Sequence, residues 1–290
     1  MILPFAAGGS TDMTGRALAQ KLSEQLGQPI VAENRTGAGG NLGLELAARA
    51  APDGYTVVFT APVLAVSPAL YAKLNYDPVK DFSPISLVAA IQNVLVVHNS
   101  VPAKTLKELI QLARSNPGKL NFSSNGAGST NHLASELLKS KFKLNMTHIP
   151  YKGSAPQVIA LLGGEVDMGV MAVTTAIPMV QSNRLRALAV LAENRVAALP
   201  NVPTSKEAGV DDFVVPFWAG MLGPAAMPRD IVNLLNGEIH KALASPDLKK
   251  RLAASGVESF VSTPDRFAEF IKSEIVRFAK VVRDAGIKAE

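Results

Sequence analysis

The residues best suited to chemistry in this 290-residue chain sit in two short turns rich in glycine and hydroxyl groups. One is Phe5-Ala6-Ala7-Gly8-Gly9-Ser10-Thr11-Asp12; the other is Ser123-Ser124-Asn125-Gly126-Ala127-Gly128-Ser129-Thr130. Each follows a short apolar run and opens a helical pattern, so each reads as a strand-to-helix connection. Small side chains let the backbone approach a ligand closely, and a helix start leaves N–H groups without partners. The terminus adds roughly half a positive charge. Such a turn can hold a carboxylate without any lysine or arginine. The plainer reading is two ordinary connections whose Ser and Thr only cap helices. Their pairing favours binding, because two turns at strand C-termini suit a ligand gripped from both sides.

Reactive chemistry has less support. The histidines, His98, His132, His148 and His240, include no pair at metal-ligand spacing, and the chain has no cysteine. His132 follows Ser129 by three residues, but there is no nucleophile elbow and no evident third member, so His132 reads as a polar rim residue. Gly37-Ala38-Gly39-Gly40-Asn41-Leu42-Gly43 fails as a dinucleotide fingerprint because Leu42 stands where the third glycine belongs. It also follows the second strand; backbone packing or a cleft rim fits it better. Asp12 reads as a helix cap or first-turn acid, and Asp167 as a cleft residue or a strand start. Arg35 reads as an ion-pair partner. Trp218 either lines the hinge side of a pocket or plugs an interface. An α/β enzyme, nucleotide-dependent or a Ser hydrolase, is therefore the rival reading; no catalytic residue, metal or cofactor is expected.

The elements that must position these turns repeat one pattern: apolar run, small-residue turn, amphipathic helix. That pattern implies parallel sheets with helices on both faces. Strands are expected ending near Phe5 and over 29–32, 55–60, 120–123, 147–150, 167–171 and 186–191. The first helix carries Leu18, Leu22 and Leu26 on one face. Thr105 with Glu108 forms a capping box, and Ser129 opens a helix to Lys141. The run 85–97, interrupted at Gln92-Asn93, is where the chain should cross into a second lobe; 214–222, with Pro216 and Trp218, is the return. Pro228 and Thr263-Pro264 each open a closing helix. The expected fold is α/β, two doubly wound lobes joined by two crossings in a clamshell. Lobe one is 1–92 plus 221–290, and lobe two is 93–220.

Composition narrows the partners. Apolar residues make up 48% and charged residues 18%, which fits a folded globular protein. The net charge of +5 comes from scattered Lys and Arg, densest at Lys249-Lys250-Arg251, and only 6% of residues are aromatic. A nucleic-acid surface is not expected. No apolar run nears the roughly 20 residues of a membrane span. No signal peptide opens the chain: Met1-Ile2-Leu3 leads at once into Pro4 and the first turn. So abrupt a first strand raises the expectation that a native N-terminal segment precedes it.

Taken in order, the motifs resemble the solute-binding proteins of tripartite tricarboxylate transporters, the Bug receptors. Phe5-x-x-Gly8-Gly9-x-x-Asp12-x-x-x-Arg16 is similar to their opening signature. Asn34-Arg35-x-Gly37-Ala38-Gly39-Gly40, Asp53-Gly54-Tyr55-Thr56 and Ser124-x-Gly126-x-Gly128-Ser129 follow in family order. So do His148-x-Pro150-Tyr151-Lys152-Gly153, Leu162-x-Gly164-x-Val166-Asp167, the Leu199-to-Gly209 stretch and Trp218-x-Gly220. The resemblance implies a monomeric periplasmic receptor without cofactor that hands a small carboxylate to membrane permease subunits. The ligand class stays open among di- and tricarboxylates, amino acids and aromatic acids, and a sensing module for a membrane kinase is an alternative role. Carried onto this chain, the family site implies Phe5, Ala7, Gly8, Ser10 and Asp12, with Thr60 and Ala61 beneath them. Asn125, Gly128, Ser129, Thr130 and Asp167 form the opposing set.

Overall fold

The computed structural model describes residues 1–215 and 217–287, so Pro216 of the expected return crossing lies outside the described residues. In chain order the first elements are β1 (Ile2–Leu3), α1 (Ser10–Leu26), β2 (Glu33–Asn34), a 3-10 turn (Ala38–Gly40), α2 (Asn41–Ala48), β3 (Val58–Thr60), α3 (Val63–Leu70) and β4 (Phe82–Ile91). Next come β5 (Asn93–His98), α4 (Leu106–Ser115), β6 (Asn121–Ser124), α5 (Thr130–Phe142), β7 (Thr147–Pro150), α6 (Ser154–Gly163), β8 (Met168–Ala172), α7 (Val173–Gln181) and β9 (Leu185–Val190). The chain closes with β10 (Phe217–Pro224), α8 (Arg229–Ala244), α9 (Pro246–Ala254), β11 (Val257–Ser259) and α10 (Pro264–Ala285).

Two sheets organise these elements. The first has the order β11-β4-β10-β3-β1-β2, the second β7-β6-β8-β5-β9. The chain divides accordingly into Met1–Ala90 with Trp218–Lys280, and Ile91–Phe217 with the described residues from Val281 onward. The sequence reading puts the crossings at 92/93 and 220/221 and all of 221–290 in lobe one. Local pattern marks the break between β4 and β5 at Gln92, but not the residue at which packing partners change.

In the first unit β1 pairs in parallel with both β2 and β3, and β10 runs antiparallel to β3. Helix α1 returns across this sheet because Leu18 and Leu22 recur on one face, and both are buried with Leu3, Val58 and Phe59. Each such leucine contributes about 1.5–3 kcal/mol by leaving water. The second strand forms at Glu33–Asn34, after the apolar residues expected to form it. The amides of Glu33 and Arg35 bond the carbonyls of Met1 and Leu3, so backbone pairing chooses the register.

In the second unit β6 lies between β7 and β8, parallel to both, while β5 runs antiparallel to β8 and β9. All five residues of β8 are buried, as expected of a strand covered on both faces. Its core gathers Leu95, Val97, Phe122, Met168, Val170, Leu188 and Phe213. Helix α4 starts as read: Thr105 accepts the Glu108 amide at 3.2 Å. The Glu108 side chain accepts from the Lys104 amide at 2.6 Å, one residue earlier than a standard capping box.

Candidate functional site

Because β1, β2 and β3 are parallel, their C-terminal ends share one edge of the first sheet. The turn from Phe5 follows β1, and Thr60 and Ala61 end β3 beside it. Phe5, Ala7, Gly8, Ser10, Asp12, Thr60 and Ala61 are therefore brought to one edge. Gly8 turns the chain with a φ of 80°, where a side chain would be strained. Gly40, in the loop after β2, supports Phe5 from below: a Cβ there would lie 3.0 Å from the phenyl Cε1. Gly40 thus packs against Phe5, the first of the two readings of the 37–43 segment, backbone packing or a cleft rim.

Asp12 organises the turn and is only 4% exposed. Its Oδ2 accepts the Gly8 amide at 2.9 Å, while Oδ1 accepts from Arg16 Nε at 2.9 Å and Asn34 Nδ2 at 2.8 Å. Asn34 Nδ2 also donates to the Phe5 carbonyl at 2.9 Å, and its Oδ1 accepts from Arg16 Nη2 at 2.6 Å. Three donors thus occupy the carboxylate, and Arg16 offsets its charge. Asp12 positions the turn and presents no unbalanced negative charge to an arriving anion. Neither Arg16 nor Asn34 was selected from sequence as a site residue. The i,i+4 spacing of Asp12 and Arg16 was the available signal.

Helix α1 begins after Gly9 with no side-chain cap among the described residues, so its first amides depend on outside acceptors. Ser10 and Thr11 are buried there, at 5% and 4% exposure. Thr60 is fully buried, and its hydroxyl has no hydrogen-bond partner among the described residues.

In the second unit the parallel strands β7, β6 and β8 likewise end on one edge. Asn125, Gly128, Ser129, Thr130 and His132 are together there, in the turn after β6 and the first turn of α5. Ser129 caps α5 by accepting the His132 amide at 3.2 Å. The Gly153 amide ties the loop after β7 to the Asn125 carbonyl at 3.2 Å.

His132 is a buttress rather than a rim residue. It is 6% exposed, and its Nδ1 accepts the Gly128 amide at 3.0 Å. Its ring stacks on His148 at 3.9 Å, and His148 stacks on Phe122 at 4.9 Å. Burial, then the neighbouring His148 and Lys139 charges, push its pKa down to about 3. Burial and Lys139 take His148 down to about 4. Both rings are therefore neutral near pH 7. Although Glu136 lies 3.8 Å from His132 Nε2, it already binds Lys139 at 2.7 Å and does not hold the imidazole charged. With Nδ1 committed to Gly128, the His132 ring is not engaged as a base for Ser129. A second Ser–His contact, Ser124 Oγ to His148 Nε2 at 2.7 Å, involves a fully buried serine.

Two expected residues lie elsewhere. Asp167 precedes β8, and its carboxylate accepts the Asn121 amide at 2.7 Å, at the start of β6. At about 3.3 Å per residue, a five-residue strand separates it from the turn edge by roughly 15 Å. Trp218 packs inside the first unit, 3% exposed, edge-on to Phe267 and Phe270, with its indole N–H on Glu274 Oε2 at 2.9 Å.

Residues 14–287 match the family model described as "Tripartite tricarboxylate transporter family receptor". The chain belongs to that family. BugT of Bordetella pertussis (strain Tohama I) is 39% identical to this receptor over 291 residues, 99% of this chain and 89% of that protein. The periplasmic binding protein BugD superposes with a TM-score of 0.95 at 33% identity, covering 100% of this chain and 98% of that one. Rpa4515 of R. palustris, solved with adipate, gives a TM-score of 0.95 at 34% identity, covering 99% and 97%. The fold is thus the α/β periplasmic-binding-protein fold, as expected. A family of receptors also decides against the enzyme reading. Among the described residues no helix is long and apolar enough to cross a membrane.

Proposed function

We propose that this receptor captures a small carboxylate in the periplasm and delivers it to the permease subunits of a tripartite tricarboxylate transporter. One observation carries the reading: each unit places a small-residue turn and a helix N-terminus at the C-terminal edge of its parallel strands. The α1 amides have no side-chain cap among the described residues, and the adjacent acid, Asp12, is already neutralised by Arg16. Amides at a helix start favour an anion. Charge-assisted hydrogen bonds contribute about 1.5–3 kcal/mol each, so a few reach the roughly 8 kcal/mol of micromolar binding. Two relatives' names support the cargo and compartment: one was solved with adipate, and BugD is a periplasmic binding protein.

A thermal-shift screen against mono-, di- and tricarboxylates, amino acids and aromatic acids tests the proposal. A true ligand at a hundred times its Kd stabilises the folded state by about 2.7 kcal/mol, a rise of several degrees. Ser129→Phe should abolish that rise by filling the turn. Ser129→Ala, which removes only the helix cap, should cost about 1 kcal/mol of stability. Unchanged affinity in Ser129→Phe would remove this turn from the site.

A further inference from the structure

We infer that Thr174, at the head of α7, is a specificity-determining residue whose hydroxyl donates to a second carboxylate of the ligand. The inference rests on the carboxylate reading above and narrows it to dicarboxylates. Thr174 is 8% exposed, and its Oγ1 is buried with no hydrogen-bond partner among the described residues. A helical threonine usually escapes that condition by bonding a carbonyl three or four residues back. Thr174 is only the second residue of α7, so the carbonyls three and four back belong to β8 rather than to the helix, and each already accepts elsewhere. The Val170 carbonyl accepts from Gln157 Nε2 at 2.9 Å, and Met171 is paired with Val94 in the sheet. The neighbouring Thr175 hydroxyl uses the Ala172 carbonyl at 2.9 Å. A valine of the same shape would pack there without a stranded donor, so the hydroxyl weakens the fold unless an external acceptor meets it.

Its position identifies that acceptor. β8 runs parallel to β6 and beside it, so the head of α7 shares an edge with the turn at Asn125 and the start of α5. No side chain among the described residues caps α7; its first amide, Val173, is taken by the Gln92 carbonyl at 2.8 Å, and the positive helix end remains. A hydroxyl donor at a positive helix end suits a carboxylate oxygen and disfavours an ammonium group.

The test compares Thr174→Val and Thr174→Ser with the wild type by calorimetric titration. The probes are straight-chain dicarboxylates from succinate to suberate, with hexanoate as the monocarboxylate matched to adipate. Thr174→Val should leave the free protein at least as heat-stable as the wild type. It should weaken the best dicarboxylate tenfold or more and leave hexanoate unchanged, and Thr174→Ser should restore dicarboxylate affinity. Wild-type affinity in Thr174→Val, or equal weakening of hexanoate and adipate, would overturn this inference alone. A wild type that binds another acid of the screen but none of the dicarboxylates would also overturn this inference alone, whereas one that binds no carboxylate of any class would overturn the carboxylate reading beneath it.

Discussion

Replacing Asp12 by alanine tests whether the first turn is held by its own carboxylate. The substitution strands three donors: the Gly8 amide, one hydrogen of the Asn34 amide, and Arg16 Nε. They do not cost the same. The Arg16 side chain is 44% exposed and rehydrates, so its share is below about 1 kcal/mol. Gly8 is exposed, and its amide recovers water for about 1 kcal/mol. Asn34 is partly buried and its Nδ2 keeps only the Phe5 carbonyl, for about 1–2 kcal/mol. Asp12→Ala should therefore lower the unfolding free energy by about 3 kcal/mol; Arg16→Ala, which leaves the buried carboxylate its Gly8 and Asn34 donors but not its counter-charge, should cost less. Asp12→Asn should fall between them, because its amide nitrogen must face one of the three donors. Urea unfolding of the free protein measures all three. The best ligand of the screen should also bind Asp12→Ala at least tenfold more weakly, since the turn is no longer preorganised. If Asp12→Ala destabilises no more than Arg16→Ala, the carboxylate is not the anchor of the turn.

The histidine stack predicts acid sensitivity with a definite sign. An unfolded histidine takes its proton near pH 6.5, whereas folded His132 resists until about 3, so stability falls as pH drops through that window. His132 alone should cost about 2 kcal/mol between pH 7.5 and 5, with half-buried His148 adding less. Urea unfolding at both pH values should show a smaller difference in His132→Gln, and equal differences would refute the account. Gly220→Ala should cost about 2 kcal/mol or more in the same assay, because its Cβ would lie 2.3 Å from Cζ of Phe267, a ring held in place by Trp218. Gly237→Ala on α8, with nothing within 4 Å, is the control and should be neutral or stabilising.

The parts of the fold legible from sequence were those whose cause is local. Thr147–Pro150 was read to the residue, and α5 begins where Ser129 can cap it. The elements missed have causes that sequence pattern hides. Helix α3 carries Pro68 inside it, which argues against a helix unless packing overrides it. Strand β2 is two polar residues paired at a sheet edge, and no alternation of apolar positions marks it. Helix α9 and strand β11 are short, and the charged run Lys249-Lys250-Arg251 in α9 reads as a solvated surface until Leu248 and Leu252 are seen buried beneath it.

For the site, both turns were visible because each is a contiguous string of small and hydroxyl residues. Asp167 and Thr174 show what a stricter reading of strand direction would have added. In a parallel sheet the residues after a strand sit at its C-terminal edge, and those before it sit at the other end. The strand expected over 167–171 is observed as Met168–Ala172, a shift of one residue. Either range puts Asp167 at or before the strand start and Thr174 just past its end. Direction alone therefore selects Thr174 over Asp167, although an acid draws attention as a functional residue more readily than a threonine. The network beneath the first turn could not be found that way. Arg16 lies in α1 and Asn34 at the end of β2, and only the parallel pairing of β1 with β2 carries Asn34 to the Phe5 carbonyl. A residue that binds by following its own strand can be read from chain order, whereas one that supports a neighbouring strand's turn requires the pairing.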